Sequence, residues 1–190
     1  MISNIIIIPG FGERGTEAVY KKLKKNIQSS SDISIKFYVP EWNKSVNMWV
    51  EGLTIFMVNN SISIEETIII GFSMGAYITL ISSQYNKYKA IHLCSLSPYF
   101  KENISFLPEE ASAHFGKKKM LEFSYYELPT EILSESTFYF GDKDWDIAID
   151  QACELSHKFN SSFILISGTT HELTEQYIKK ISSEVINSLE

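Results

Sequence analysis

The sequence predicts an α/β fold: a doubly wound, mostly parallel six-strand sheet flanked by helices in three layers, with a short insertion after the fourth strand. Three observations predict it. Short β-branched runs alternate with helix-length stretches along the whole chain, the order that builds a parallel sheet with crossover helices. The runs Ile5-Ile6-Ile7-Ile8 and Thr67-Ile68-Ile69-Ile70 are apolar on both faces, as strands covered by helices on both faces must be. The 190 residues, 44% hydrophobic and 21% charged, suit one domain over 1–190 with one core and fall outside the composition that stays disordered.

The elements follow in order. Strands are expected at Asn4 to Ile8, Ile33 to Val39, Thr67 to Ile70, Ala90 to Leu96, Ser136 to Phe140 and Ser162 to Ile166, where β-branched residues run between Gly, Pro or Ser. Helices are expected at Thr16 to Ile27, Ser45 to Asn59, Met74 to Tyr85, Ile147 to Phe159 and Glu172 to Leu189, several with apolar residues at helical spacing. No internal repeat and no Pro-rich or Gly/Ser-rich linker interrupts the alternation. Residues 98–135 break the rhythm with Pro98, Pro108, Pro129, the run Lys117 to Lys119 and aromatics such as Phe100, Phe115 and Phe123. They read as the insertion, either a small cap walling a pocket or a crossover helix packed on the sheet, and the pattern leaves both open.

Charge and cysteine content narrow the function. A net charge of −6 lacks the basic footprint of a nucleic-acid binder. Acids crowd from Glu131 to Glu154, where a cationic partner would approach. Cys94 and Cys153 are the only cysteines, so neither a disulfide scaffold nor a thiolate zinc site is expected, and a reducing compartment fits. The apolar run at the N-terminus is too short for a membrane span and has no basic flank, so a soluble, cytoplasmic chain is expected.

The sharpest local signal is Gly71-Phe72-Ser73-Met74-Gly75, directly after one expected strand and directly before one expected helix. This is G-x-S-x-G in a strand-turn-helix setting, where a serine on a tight turn needs small residues two positions either way. Two later strands end in loops that hold its partners. The strand at Ser136 to Phe140 runs into Gly141-Asp142-Lys143-Asp144-Trp145-Asp146, and the strand at Ser162 to Ile166 runs into Ser167-Gly168-Thr169-Thr170-His171. Serine, acid and histidine therefore come in that chain order, each at a strand end.

On these residues the chain resembles the α/β-hydrolase superfamily over nearly its whole length. The resemblance implies a serine hydrolase with Ser73 as nucleophile, Asp144 as the acid, by the family's Gly-x-x-Asp loop, and His171 as the base, by its Gly-x-x-His loop. Asp142 and Asp146 remain alternatives for the acid. Pro9-Gly10-Phe11-Gly12 is similar to the family's His-Gly-x-x turn with Pro9 in the histidine's place, which implies an oxyanion hole from the N–H groups of Phe11 and Met74. Gly10, Gly12 and Trp145 would line the substrate site. The chain lacks the two antiparallel strands that usually come first in the family, and so resembles a minimal six-strand version. No cofactor or metal is called for. The expected substrate is a small-molecule carboxylic ester or thioester; an acyltransferase or thioesterase using the same triad, and a non-catalytic binding protein that kept the fold, are the alternatives.

Other polar residues have simpler expected roles. His92 falls inside a strand and reads as a buried structural histidine, His157 as a solvated helix residue, and His114 as a substrate contact in the insertion. Arg14, the only arginine, reads as a solvated helix-start residue, and Trp42 and Trp49 as packing. Asp142, Asp144 and Asp146 alternate like the start of a calcium loop, but Ile147 and Cys153 stand where such a loop needs Gly and Glu.

Overall fold

A computed structural model describes residues 2–189. Strands β1 (Asn4–Ile8), β2 (Ser34–Phe37), β3 (Thr67–Phe72), β4 (Ala90–Cys94), β5 (Glu135–Gly141) and β6 (Ser162–Ile166) pair in the order β2-β1-β3-β4-β5-β6. Every pair is parallel, so the sheet is parallel throughout rather than mostly. The helices are α1 (Ala18–Gln28), α2 (Val46–Asn59), α3 (Met74–Ser82), α4 (Glu109–Phe123), α5 (Asp146–Lys158) and α6 (Glu175–Asn187).

The isoleucine run of β1 serves two cores at once. Ile5 and Ile7 pack with Tyr20, Leu23 and Ile27 of α1 and with Tyr177, Ile181 and Val185 of α6. Ile6 and Ile8 face the other way, into the cluster that holds Trp49, Leu53 and Met57 of α2 and the apolar residues of α3. Side chains alternate across a strand, so a sheet covered on both faces buries apolar residues at successive positions, and each buried isoleucine contributes about 2 kcal/mol. All nine residues of α3 are buried, which makes it the central helix of its layer. The strand order reverses between β1 and β3, and the loops leaving their C-terminal ends diverge to open a crevice there.

Several boundaries differ from expectation, and two of them shape the crevice. β3 runs on through Gly71 and Phe72, so the G-x-S-x-G stretch begins inside the sheet. α6 starts at Glu175 rather than Glu172, because Thr174 caps it by accepting from the Tyr177 N–H at 3.3 Å, and His171 is left in the loop. α3 ends at Ser82, short of Tyr85.

The insertion holds a 3₁₀ turn (Ile104–Phe106) and α4, and it divides between its two expected readings. Gly116 sits at φ 74°, ψ 161°, a backbone region that is essentially glycine's alone, and breaks α4 in two. The half before the break reaches the crevice. The half after it buries Phe123 against Trp49 and Tyr77, with ring centroids 6.4 and 5.7 Å apart, as a crossover helix does. Among the described residues no helix is long and apolar enough to cross a membrane.

Candidate active site

Ser73 stands between β3 and α3 with φ 54° and ψ −114°, a strained conformation for a residue with a side chain. Its neighbours hold it there. Its N–H donates to the Cys94 carbonyl at 2.8 Å, continuing the β3–β4 ladder, and its carbonyl accepts from Tyr77 N–H at 3.1 Å, opening α3. A Cβ on Gly71 would lie 2.5 Å from the Gly75 carbonyl oxygen, and one on Gly75 would overlap the Ile8 carbonyl of β1. Both positions therefore exclude any side chain, and the serine is presented at the sheet edge over the end of β1.

The loops after β5 and β6 are fastened to each other. Asp142 N–H donates to Ile166 O at 3.2 Å, Lys143 N–H to Thr169 O at 3.0 Å, and the Asp142 carboxylate accepts from Gly168 N–H at 2.7 Å. This lacing sets Asp144 and His171 face to face. His171 Nδ1 is 3.0 and 3.3 Å from the two Asp144 carboxylate oxygens, and His171 Nε2 is 2.9 Å from Ser73 Oγ. The imidazole lies between rings, Phe72 at 5.6 Å and Trp145 stacked at 5.8 Å with an 18° interplanar angle.

The Asp144 side chain is fully buried. Burial alone would raise its pKa, but the hydrogen bond and charge of His171, the Trp145 N–H at 2.8 Å and the Ser95 hydroxyl outweigh it and hold the carboxyl below the ordinary aspartate value. An ionised Asp144 fixes the proton of a neutral imidazole on Nδ1, which leaves Nε2 bare to accept the Ser73 hydroxyl proton. Behind the acid, Ser95 Oγ meets Tyr177 OH at 3.1 Å, so α6 buttresses the loop from below. Asp142 and Asp146 are exposed and do not reach the histidine ring.

The turn after β1 lies against the start of α3. Gly10 N–H donates to a Glu13 carboxylate oxygen at 2.7 Å and to Tyr20 OH at 3.0 Å, and Glu13 N–H closes the turn onto the Gly10 carbonyl at 3.1 Å. Gly12, at φ 78°, supplies the left-handed residue that such a turn needs in its third position. The N–H groups of Phe11 and Met74 donate to no acceptor among the described residues.

These pieces line a cavity of about 600 Å³ that includes Gly10, Phe11, Ser73, Met74, Trp145 and His171. Gly12 and Arg14 lie outside it; Arg14 is exposed. His114 lines it, whereas His92 is buried in β4 with Nδ1 2.8 Å from Tyr139 OH, and His157 is exposed on α5. Trp49 is fully buried and Trp42 half-buried. The sequence did not point to Ser97, Tyr99, Glu13 or Glu110, which also line the cavity. Lone residues, three in loops and Glu110 in the first turn of α4, carry no spacing signal, and only the folded chain brings these four to the crevice.

A hydroxyl hydrogen-bonded to an oriented imidazole, beside amides without acceptors, can attack an electrophilic carbon and stabilise the oxygen that becomes anionic. No protein-family model matches the sequence, and no curated protein matches it. Solved structures do. The chain is similar to Est1E from Butyrivibrio proteoclasticus (TM-score 0.80, 12% identity, covering 99% of this chain and 87% of that one), which has also been solved with ferulic acid bound. It is similar to the alpha/beta hydrolase domain-containing protein 10 from mouse (TM-score 0.75, 12% identity, 98% and 90% covered). The thioesterase RedJ from the prodiginine pathway of Streptomyces coelicolor gives a TM-score of 0.67 at 10% identity, with 97% and 85% covered.

Proposed function

From the α/β-hydrolase fold that it shares with these structures, we propose that the chain is a serine hydrolase that cleaves a carboxylic ester or thioester through an acyl-enzyme on Ser73. The observation that carries the reading is the unbroken path from Asp144 through His171 to Ser73 Oγ at the foot of the cavity. Ser73 Oγ attacks the acyl carbonyl as its proton passes to His171 Nε2, and Asp144 stabilises the imidazolium. The Phe11 and Met74 N–H groups receive the oxyanion, each donor worth about 3 kcal/mol in comparable sites. His171 then protonates the leaving group, and a water attacks by the reverse sequence.

Esters are favoured over thioesters of phosphate-bearing carriers. The lining contains Glu13 and Glu110 but no Lys or Arg to receive a phosphate, and its walls are aromatic, with Phe11, Phe72, Tyr99, Phe115 and Trp145. In this reading residues 98–135 are the outer wall of the acyl site rather than a separate domain, and Est1E's complex with ferulic acid offers an aromatic acyl group as a first probe.

The test is hydrolysis of p-nitrophenyl esters from acetyl to palmitoyl by wild type and Ser73→Ala side by side. Activity with a chain-length optimum that vanishes in the variant is expected. A folded wild type that hydrolyses none of the series and ignores a fluorophosphonate probe would mark a binding protein that kept the fold.

A further inference from the structure

We propose that Ser97 is a second hydroxyl of the reaction centre, acting when the acyl group leaves Ser73; the inference rests on the reading of Ser73 as nucleophile. Ser97 follows β4, is 2% exposed and lines the cavity. Its Oγ lies 3.1 Å from Ser73 Oγ, and among the described residues its side chain makes no other hydrogen bond.

Proton counting fixes the direction of that bond. Ser73 has one hydroxyl proton, and the bare Nε2 of His171, 2.9 Å away, takes it. Ser97 must then be the donor, its O–H pointing at a lone pair of Ser73 Oγ. In the resting enzyme this bond stabilises the same lone pairs that have to attack, so what it contributes to the transition state of acylation it also contributes to the ground state, and the two largely cancel.

Deacylation differs. In the acyl-enzyme, Ser73 Oγ is an ester oxygen and a weak acceptor, so Ser97 stabilises that state little. Water adds to the carbonyl carbon and gives its proton to Nε2; the bond from that carbon to Oγ then breaks, the electron pair stays on Oγ, and Nε2 returns the proton to it. As charge develops on the departing Oγ, the Ser97 O–H becomes a charge-assisted donor, and its bond strengthens between ground state and transition state. Ser97 neither gains nor loses a proton in the cycle.

The experiment is steady-state and burst kinetics with p-nitrophenyl butyrate, whose good leaving group makes acylation fast, on wild type, Ser97→Ala and Ser97→Thr. In Ser97→Ala, kcat should fall about tenfold or more while kcat/KM, which reports acylation, stays within about twofold, so that KM falls with kcat. p-Nitrophenolate release should begin with a burst, and intact-mass analysis should find the butyrylated chain. Labelling by a fluorophosphonate, which needs only the first half of the reaction, should keep its wild-type rate, and Ser97→Thr, with its hydroxyl retained, should keep the wild-type kcat. If kcat and kcat/KM fall together in Ser97→Ala with no burst, Ser97 only holds Ser73 in place and the inference is overturned; unchanged kinetics overturn it equally. A wild type that neither hydrolyses the ester nor takes the probe overturns the reading of Ser73 itself, an outcome separate from those two.

Discussion

One imidazole decides what the cavity can do, and its orientation depends on a single carboxylate. Asp144 is buried and ionised against His171, whereas Asp142, two residues earlier, spends its charge on the Gly168 N–H. Asp144→Asn would let the ring take the wrong tautomer, and ester hydrolysis is expected to fall about 10⁴-fold with the fold intact. Asp142→Ala removes only a loop fastening and should cost about tenfold or less. Steady-state rates of the two variants check the order, and the reverse order would move the acid to Asp142. Ser73, Asp144 and His171 were legible in the sequence because each sits in a short local pattern, a glycine-flanked turn or a strand end three residues after a glycine. Ser97 was not, because its partner is 24 positions away and the contact exists only once β3 and β4 pair.

At the scale of elements, the placement of Ser73, the proposed nucleophile, depends on how closely α3 approaches the sheet. A methyl on Gly75 would meet the β1 backbone at Ile8, which has no room to give way. Gly75→Ala should therefore lower stability by about 2 kcal/mol or more and remove most activity, because α3 must shift and carry Ser73 with it. Thermal melts with the ester assay read both effects. Gly116 governs the other wall. Gly116→Ala puts a side chain where the backbone is at φ 74° and should cost about 1–3 kcal/mol. It should also displace His114 and Phe115, so the chain-length optimum of the esters should change more than the rate on the acetyl ester. The strands were readable because a helix-covered sheet demands unbroken apolar runs. α4 was not, because its two halves face different surroundings, a cavity and a core, and no single apolar stripe runs its length.

For the molecule as a whole, the proposed chemistry stands at the C-terminal edge of the sheet, while another histidine is buried in its interior toward the opposite end and bears on stability. His92 is 4% exposed; Nδ1 meets Tyr139 OH, and Nε2 has no partner among the described residues. Burial in the apolar layer between β4, β5 and α6 pushes its pKa down from 6.5 to about 4, against a weaker opposing pull from Glu184 on α6. The sign follows from linkage. The unfolded chain takes up a proton below pH 6.5 that the fold refuses, so stability falls as the pH drops from 6.5 towards 4, by about 3 kcal/mol in all, and levels off below. Asp144 works in a separate window: its carboxyl is held below the ordinary value of 3.8, so its contribution is complete above that value and is lost only as pH falls below it. Urea unfolding of wild type and His92→Asn at pH 7, 5.5, 4.5 and 3 separates the two. Asparagine keeps an uncharged polar group near Tyr139, so the variant should lose the decline between pH 6.5 and 4 and retain the one at lower pH. An equal decline in both proteins would transfer the effect to the carboxylates and leave His92 a packing residue.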